Sequence, residues 1–371
     1  MSHFSSDHDP VTTVTGITYE RESIEHWLQK AKDCLQSNHC QETEFLTPNH
    51  TLGRLIQSWY SSNESNRVDK ISTPRSLLEK IHFKKLVMDL EVPCYFEKAM
   101  EKMHGLAIES ERNRQCMVEA GVVNAMVHVI TKSFKQGRTR CLEEALTILC
   151  LLWNSAAMVN NMKHLVGENL DFINSLTWIL QLHQVDNNVK MVNEVIPILK
   201  STIEVANSTI LGNLKLEFFI EIISIIKNNR ALSLHAIKSA LHVLIETCSL
   251  GRNRVKIVEA GAVMELIELA LEKQEKNITE LMFILLAHLC SCADGREQFL
   301  HHAASIAMLS KKTLRVSSTT DDQALRIFSL ISKFSASNEV VKEMLRVGAV
   351  TKLCMVMQAD CASYCQAHQC E

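Results

Sequence analysis

Glycine and proline are scarce in this chain, with 11 Gly and 5 Pro among 371 residues, and aromatics make up only 5%. Architectures made of many short strands need more turn material than this, so an all-β sandwich or barrel is excluded. Charge of either sign is also nearly balanced, at a formal net of −3 and a pI of about 6.6. A nucleic-acid grip needs a basic surface to displace counterions from phosphates, and none is implied. The longest nearly apolar run, Ala145 to Trp153, falls far short of the ~20 residues that span a bilayer. No basic stretch followed by an apolar one opens the sequence at Met1 to Asp7, so no secretory leader is expected.

Apolar residues reach 46% and charged residues 22%, enough for a large core. Leu, Ile, Val, Ala, Glu and Lys dominate, which points to an all-helical body. The 13 cysteines mostly sit singly in apolar helical stretches, as Cys150, Cys248 and Cys290 do. Buried free thiols in a reducing compartment account for them, so a cytoplasmic protein is expected.

One segment recurs. NRQCMVEAGVV at 113–123 returns as NRVKIVEAGAV at 253–263, 140 residues later, or about three units of 46 to 47. A looser copy starts at Gly295-Arg296, and another starts at Asn338 and reaches Gly348-Ala349-Val350. Each copy reads as a short helix closed by a glycine in the left-handed conformation. A second helix follows, with Val123, Met126, Val127 and Ile130 on one face, or Val263, Leu266, Ile267 and Ala270. A third carries Leu241, Leu244, Ile245 and Cys248, or Met282, Leu285, Leu286 and Leu289. In the Gly295 copy the glycine is replaced by Ala303-Ala304-Ser305.

Three helices per 42 to 47 residues resemble the armadillo repeat, over about residues 96 to 357. Between Leu165 and Leu234 only the helical period marks the units. The resemblance implies a superhelix whose third helices line a groove for an extended peptide or partner protein. It places Trp153 and Asn154 in that groove, with Asn154 where groove asparagines hold a bound backbone. Glu246, His288 and Lys333 end third helices elsewhere and complete the expected substrate groove.

The N-terminal 64 residues have another texture. Asp9-Pro-Val11 and Gly16-Ile-Thr-Tyr19-Glu-Arg21 predict two short strands around a turn. Glu22 to Lys30 has helical spacing, with Ile24, Trp27 and Leu28 on one face. Leu46 to His50 reads as a loop, and Thr51 as the cap of a helix carrying Leu52, Leu55, Ile56 and Trp59. Residues 60–75 are polar, contain Pro74, and read as a linker.

This order resembles the U-box, which runs D-P-V, G-x-T-Y-x-R, I-x-x-W, P-N-x-x-L and L-I-x-x-W. Asp9, Pro10, Val11, Gly16, Thr18, Tyr19, Arg21, Ile24, Trp27, Pro48, Asn49, Leu52, Leu55, Ile56 and Trp59 match it. With the repeats behind it, the chain resembles the plant U-box/armadillo ubiquitin ligases of immune and stress signalling. The implied fold is mainly α, an armadillo-type α-solenoid preceded by a small α+β U-box-like domain. The expected divisions are 1–64 U-box, 65–95 linker, 96–360 repeats and 361–371 tail.

The resemblance implies an E3 scaffold that recruits a ubiquitin-charged E2 enzyme and presents a protein substrate. Ile17, Trp27, Pro48 and Asn49 are the implied E2 contacts. Asp9, Pro10, Gly16, Tyr19, Arg21, Leu55 and Trp59 are the implied structural set. No catalytic nucleophile, metal or cofactor is expected, and nucleic acid and membrane are not expected partners.

Two stretches depart from the family pattern. Met1 to His8 stands where the family has an apolar first loop with Cys-Pro-Ile. The second loop reads CLQSNHCQET at 34–43 instead of Cys-Pro-x-Thr. Losing two or three anchors of ~1–2 kcal/mol each weakens E2 binding by roughly tens-fold to several thousand-fold. The alternative expectation is therefore an armadillo adaptor whose damaged U-box no longer binds E2.

Site chemistry of other kinds fails on spacing. A RING needs eight Cys/His ligands, yet residues 1–93 hold only Cys34 and Cys40, and His3, His8, His26, His39 and His50 are not paired. Cys361, Cys365, His368 and Cys370 fit no common structural metal site. Cys290 and Cys292 lie near His288 but end an apolar helix, as core thiols do. No phosphate-binding glycine loop exists, which excludes a kinase or NTPase.

Overall fold

The computed structural model describes residues 9–13, 16–21, 23–25, 46–55, 74–153, 169–186, 188–227 and 232–356. The chain divides into two compact units, Met1–Leu77 and Leu78–Glu371.

The first unit holds a three-stranded sheet in the order β2-β1-β3, from β1 (Pro10–Thr12), β2 (Thr18–Glu20) and β3 (Thr47–Pro48). Both pairings are antiparallel, with Val11 opposite Tyr19 on one side and Pro48 on the other. The two strands expected around a turn are present. Residues 47–48 form a third strand where a loop was expected. The following helix starts at His50, with Asn49 and not Thr51 as its cap: Asn49 Oδ1 accepts the Leu52 amide at 3.1 Å. Asparagine suits that place because its short side chain reaches the orphan amide three residues on. Val11 and Ile24 are buried between these elements.

The second unit is helical. α1 (Pro74–Asp89) and α2 (Phe96–Glu109) lead into α3 (Glu111–Glu119), α4 (Val122–Gln136), α5 (Leu142–Trp153), α6 (Leu170–Asp186) and α7 (Val189–Val205). Then come α8 (Ser208–Gly212), α9 (Leu216–Lys227), α10 (Leu234–Thr247), α11 (Gly251–Glu259), α12 (Ala262–Leu271) and α13 (Lys276–Leu289). α14 (Ala293–His301), α15 (Ser305–Lys312), α16 (Ser318–Phe334) and α17 (Asn338–Arg346) follow, and residues 349–356 are helical again. In the expected linker 65–95, the chain is helical from Pro74 to Asp89, and Phe83, Leu86 and Leu90 lie in the repeat core. Proline stops a helix it follows but is welcome in the first turn of the one it opens.

Third helices α2, α5, α7, α10, α13 and α16 each pack on the next, and second helices α4, α6, α9, α12 and α15 form a parallel layer. Fully buried Phe172, Phe219, Phe283 and Phe299 fill the space between them. Truncating any one of these to Ala costs about 3–5 kcal/mol. The ends of second helices are tied to the starts of the next by Lys135–Asp171 at 2.6 Å and Lys227–Glu265 at 2.8 Å.

The glycine signals mean what their spacing predicts. Gly121, Gly261 and Gly348 have φ of +84°, +87° and +69°, and each separates a first from a second helix. Where the glycine is missing, His302 does its work. Its Nδ1 accepts the Ala304 amide at 3.2 Å while Nε2 meets Glu268 Oε1 at 2.8 Å.

The recurring Asn-Arg pair joins repeats. Asn113 and Arg114 donate to the carbonyls of Leu106 and Ala107, at the end of the preceding third helix, at 3.1 and 2.8 Å. Asn253 and Arg254 do the same for Thr247 and Cys248 at 3.3 and 3.2 Å. Arg254 also reaches Ser291 Oγ at 2.7 Å, and Arg296 reaches Ser335 Oγ at 3.1 Å, just past the next third helix in each case. These side chains satisfy C-terminal carbonyls that a helix cannot satisfy itself.

Candidate functional site

Each unit offers one candidate surface. In the first, Gly16 at φ +80° lets the β1–β2 turn close, with the Gly16 amide donating to Thr13 at 2.9 Å and that of Thr13 to Ile17 at 3.0 Å. The turn leaves Ile17 53% exposed, and Pro48 is also exposed on β3. Asn49 is the junction between sheet and helix. Its amide donates to the Pro10 carbonyl at 2.7 Å, and its Nδ2 faces Thr12 Oγ1 and Thr18 Oγ1 at 3.3 and 3.4 Å. It therefore joins β1 and β2 and caps the helix that follows β3, all with one side chain and one amide.

Arg21 ties the ends of the hairpin. Its backbone amide donates to Asp9 O at 3.0 Å and its Nε to Asp9 Oδ2 at 2.5 Å. The Asp9 carboxylate raises the already high Arg21 pKa, so the guanidinium stays charged. Asp9, Pro10, Gly16 and Arg21 thus hold the unit together. Tyr19 and Leu55 are exposed side chains, Leu55 at 62%. Trp27 and Trp59 lie outside the described residues.

In the second unit, the third-helix layer packs one face on the second helices and leaves the other to solvent. Trp153 is not on that open face: it is buried, and its Nε1 has no partner among the described residues. Asn154 lies outside the described residues. Glu246 is exposed, His288 half-buried and Lys333 exposed. The burial pattern sets the repeat offset at 42 residues, so Glu246, His288 and Leu330 are equivalent, and Lys333 lies one turn further on, opposite Ser291. Lys333 Nζ rests over the Phe334 ring at 5.1 Å.

His242, Arg254 and Arg326 were not singled out by sequence. Arg254 carried a signal, the repeated Asn-Arg pair; His242 and Arg326 share one position 84 residues apart, visible only once third helices are in register. Burial lowers the pKa of His288, helped by neighbouring Arg326 and Arg254. Burial likewise lowers His242, with Lys200 beside it. Burial pushes the Cys290 thiol up to about 12, far from the range of a nucleophilic thiolate. No group of three metal-binding side chains occurs among the described residues, and no helix among them is long and apolar enough to cross a membrane.

Comparison with known proteins agrees with this division. The family model of the U-box domain matches residues 8–65, and that of the plant U-box protein ARM repeat region matches residues 85–368. The E3 ubiquitin-protein ligase PUB23 of Arabidopsis thaliana is 36% identical over 95% of this chain and 85% of its own length. PUB24 of the same plant is 37% identical over the same shares. PUB22, also an E3 ubiquitin-protein ligase of Arabidopsis thaliana, is 33% identical over 96% of this chain and 88% of its own length. With a U-box at one end, armadillo repeats over most of the rest and relatives matched almost end to end, the chain belongs to the plant U-box/armadillo-repeat family.

Proposed function

We propose that this chain is an E3 ubiquitin-protein ligase that recruits a ubiquitin-charged E2 through its U-box and presents a protein substrate on its armadillo repeats. The observation that supports this reading is the pairing of both family regions in one chain with relatives named as such ligases. The reaction needs no nucleophile from this chain. A substrate lysine amine attacks the E2–ubiquitin thioester, an isopeptide bond forms, and the E2 thiol leaves. The ligase contributes proximity and a held pose.

In this reading Ile17, Trp27, Pro48 and Asn49 form the E2 face, with Asn49 acting by bracing and the exposed Ile17 by contact. Small interfaces of this kind draw most of their affinity from a few anchors. Asp9, Pro10, Gly16, Tyr19, Arg21, Leu55 and Trp59 maintain the domain. Asn154, Glu246, His288 and Lys333 belong to the substrate face, whereas Trp153 supports it from the core. The proposed divisions are a U-box over 1–64 and repeats over 96–360, working in the cytoplasm in plant immune or stress signalling.

A second reading has one observation in its favour. The second loop carries no proline between Cys34 and Thr43, so an armadillo adaptor with weak E2 binding is the alternative. Ubiquitination with purified E1, a panel of E2 enzymes, ubiquitin and ATP separates the two. Chain-dependent transfer that falls on Ile17→Asp supports the ligase; no transfer with any E2 supports the adaptor.

A further inference from the structure

Charge is unevenly spread along the open face of the third helices. Toward their N-terminal ends the lysines are paired, Lys238 with Glu275 at 3.1 Å and Lys276 with Glu280 at 4.0 Å. From the middle of α10, α13 and α16 to their C-terminal ends the side chains include His242, Glu246, His288, Arg326 and Lys333. Arg254 reaches in from α11 to Ser291, whose hydroxyl in turn donates to the His288 carbonyl at 2.6 Å. None of the three cations Arg254, Arg326 and Lys333 has a carboxylate partner among the described residues. Arg254 spends its Nη donors on Ser291 and the Cys248 carbonyl, and Lys333 lies over an aromatic ring. Arg326 and Arg254 are near enough to His288 to oppose its protonation. Glu246, one repeat away from His288, and Asp322, one turn before Arg326 on α16, are the carboxylates of this stretch, and Glu204 near His242 is paired with Lys200 at 2.8 Å.

Three fixed cations spread over adjacent repeats, against the carboxylates Glu246 and Asp322, make a locally positive strip in a chain whose net charge is −3, and burial holds the two imidazoles toward their neutral form. We propose that this strip seats an extended, carboxylate-rich segment of a protein substrate, with an acidic side chain between His288 and Arg326. The inference rests on the reading of the third-helix face as the substrate seat. Charge complementarity names the occupant: an acidic segment gains from every cation here, and a basic one is repelled by all three. The surrounding exposed rim makes the attraction sensitive to salt.

The test uses the full chain and three fluorescent ten-residue peptides that alternate Ser with Glu, Gln or Lys, followed by polarisation. The Glu peptide is expected to bind more tightly than the Gln peptide, to weaken as salt rises, and to lose about tenfold on Arg326→Ala and more on Arg326→Glu. Lys227→Ala, on the second-helix layer, serves as the folded control with binding unchanged. Equal binding of the Glu and Gln peptides, preference for the Lys peptide, or no effect of Arg326→Glu would overturn the proposal. The ligase reading is judged separately: absence of E2 discharge by the wild-type chain counts against that reading and not against an acidic-peptide preference.

Discussion

Glycine at position 295 is a close-approach residue, and replacing it offers a sharp stability test. α14 begins against the end of α13 so tightly that a β-carbon at 295 would lie 2.1 Å from the Leu289 carbonyl oxygen, 2.7 Å from its carbon and 3.3 Å from Cys292 Sγ. The first two are backbone atoms of a packed helix, so α14 itself must move. Gly105, inside α2, has nothing within 4 Å of the same built atom. The two substitutions to Ala are chemically identical and each gains about 1 kcal/mol of helix propensity. At 105 that gain stands alone, so Gly105→Ala is expected to stabilise by about 1 kcal/mol. At 295 overpacking of about 1–3 kcal/mol or more opposes it, since backbone cannot swing aside as a side chain does. Gly295→Ala is therefore expected to be neutral to 2 or more kcal/mol destabilising (roughly, from the same terms), always less stable than Gly105→Ala. Thermal melts by circular dichroism give the order, and amide exchange in α14 shows whether the loss is local, as a repeat array allows. A Gly295→Ala protein as stable as Gly105→Ala would refute the packing argument.

Asn49→Ala removes a cap and the links to Thr12 and Thr18 together, so a loss of about 2–3 kcal/mol is expected in the first unit; exchange protection of strands 10–12 and 18–20 that survives unchanged would contradict it. Thiol labelling should divide the cysteines: exposed Cys94 and Cys354 react, while Cys248 and Cys290, both pushed up to about 12 by burial, stay unmodified until the protein unfolds. His82, His242 and His288 all have lowered pKa values, chiefly through burial. The folded state then binds fewer protons than the unfolded one, so their contribution is full above about pH 6.5 and is lost as pH falls through the lower folded values. The melting temperature should drop between pH 7.5 and 5.5, and replacing all three by Gln should flatten that slope; an unaltered slope would assign it to other groups.

The repeat architecture was legible because its signals are local. Gly121, Gly261 and Gly348 each sit where only a residue at ease with positive φ closes a helix, and the apolar spacing after each one names the buried face. Between α8 and α9 the turn is made at Asn213 with φ −91°, so no glycine at positive φ marks that unit and only its period shows. Pro74 misled because a proline reads alike whether it ends one segment or opens a helix. Thr47–Pro48 passed for a loop because two residues carry no alternation to read. The Arg–Ser links were invisible because their ends are 37 and 39 residues apart. The open face of the third helices was the least legible part. Lys333 was placed a turn early and Trp153 on the wrong side, since helix-end residues align only once burial fixes the register.

The proposed action of this U-box on a charged E2 is open to direct measurement. Single-turnover discharge of a preformed E2–ubiquitin thioester to free lysine measures that step without any substrate. Discharge is expected to be faster with the chain than without it, slower than with a family member whose second loop reads Cys-Pro-x-Thr, and to return to the E2-alone rate on Ile17→Asp. Discharge that never rises above the E2-alone rate, across a panel of E2 enzymes and with a folded chain, would contradict it.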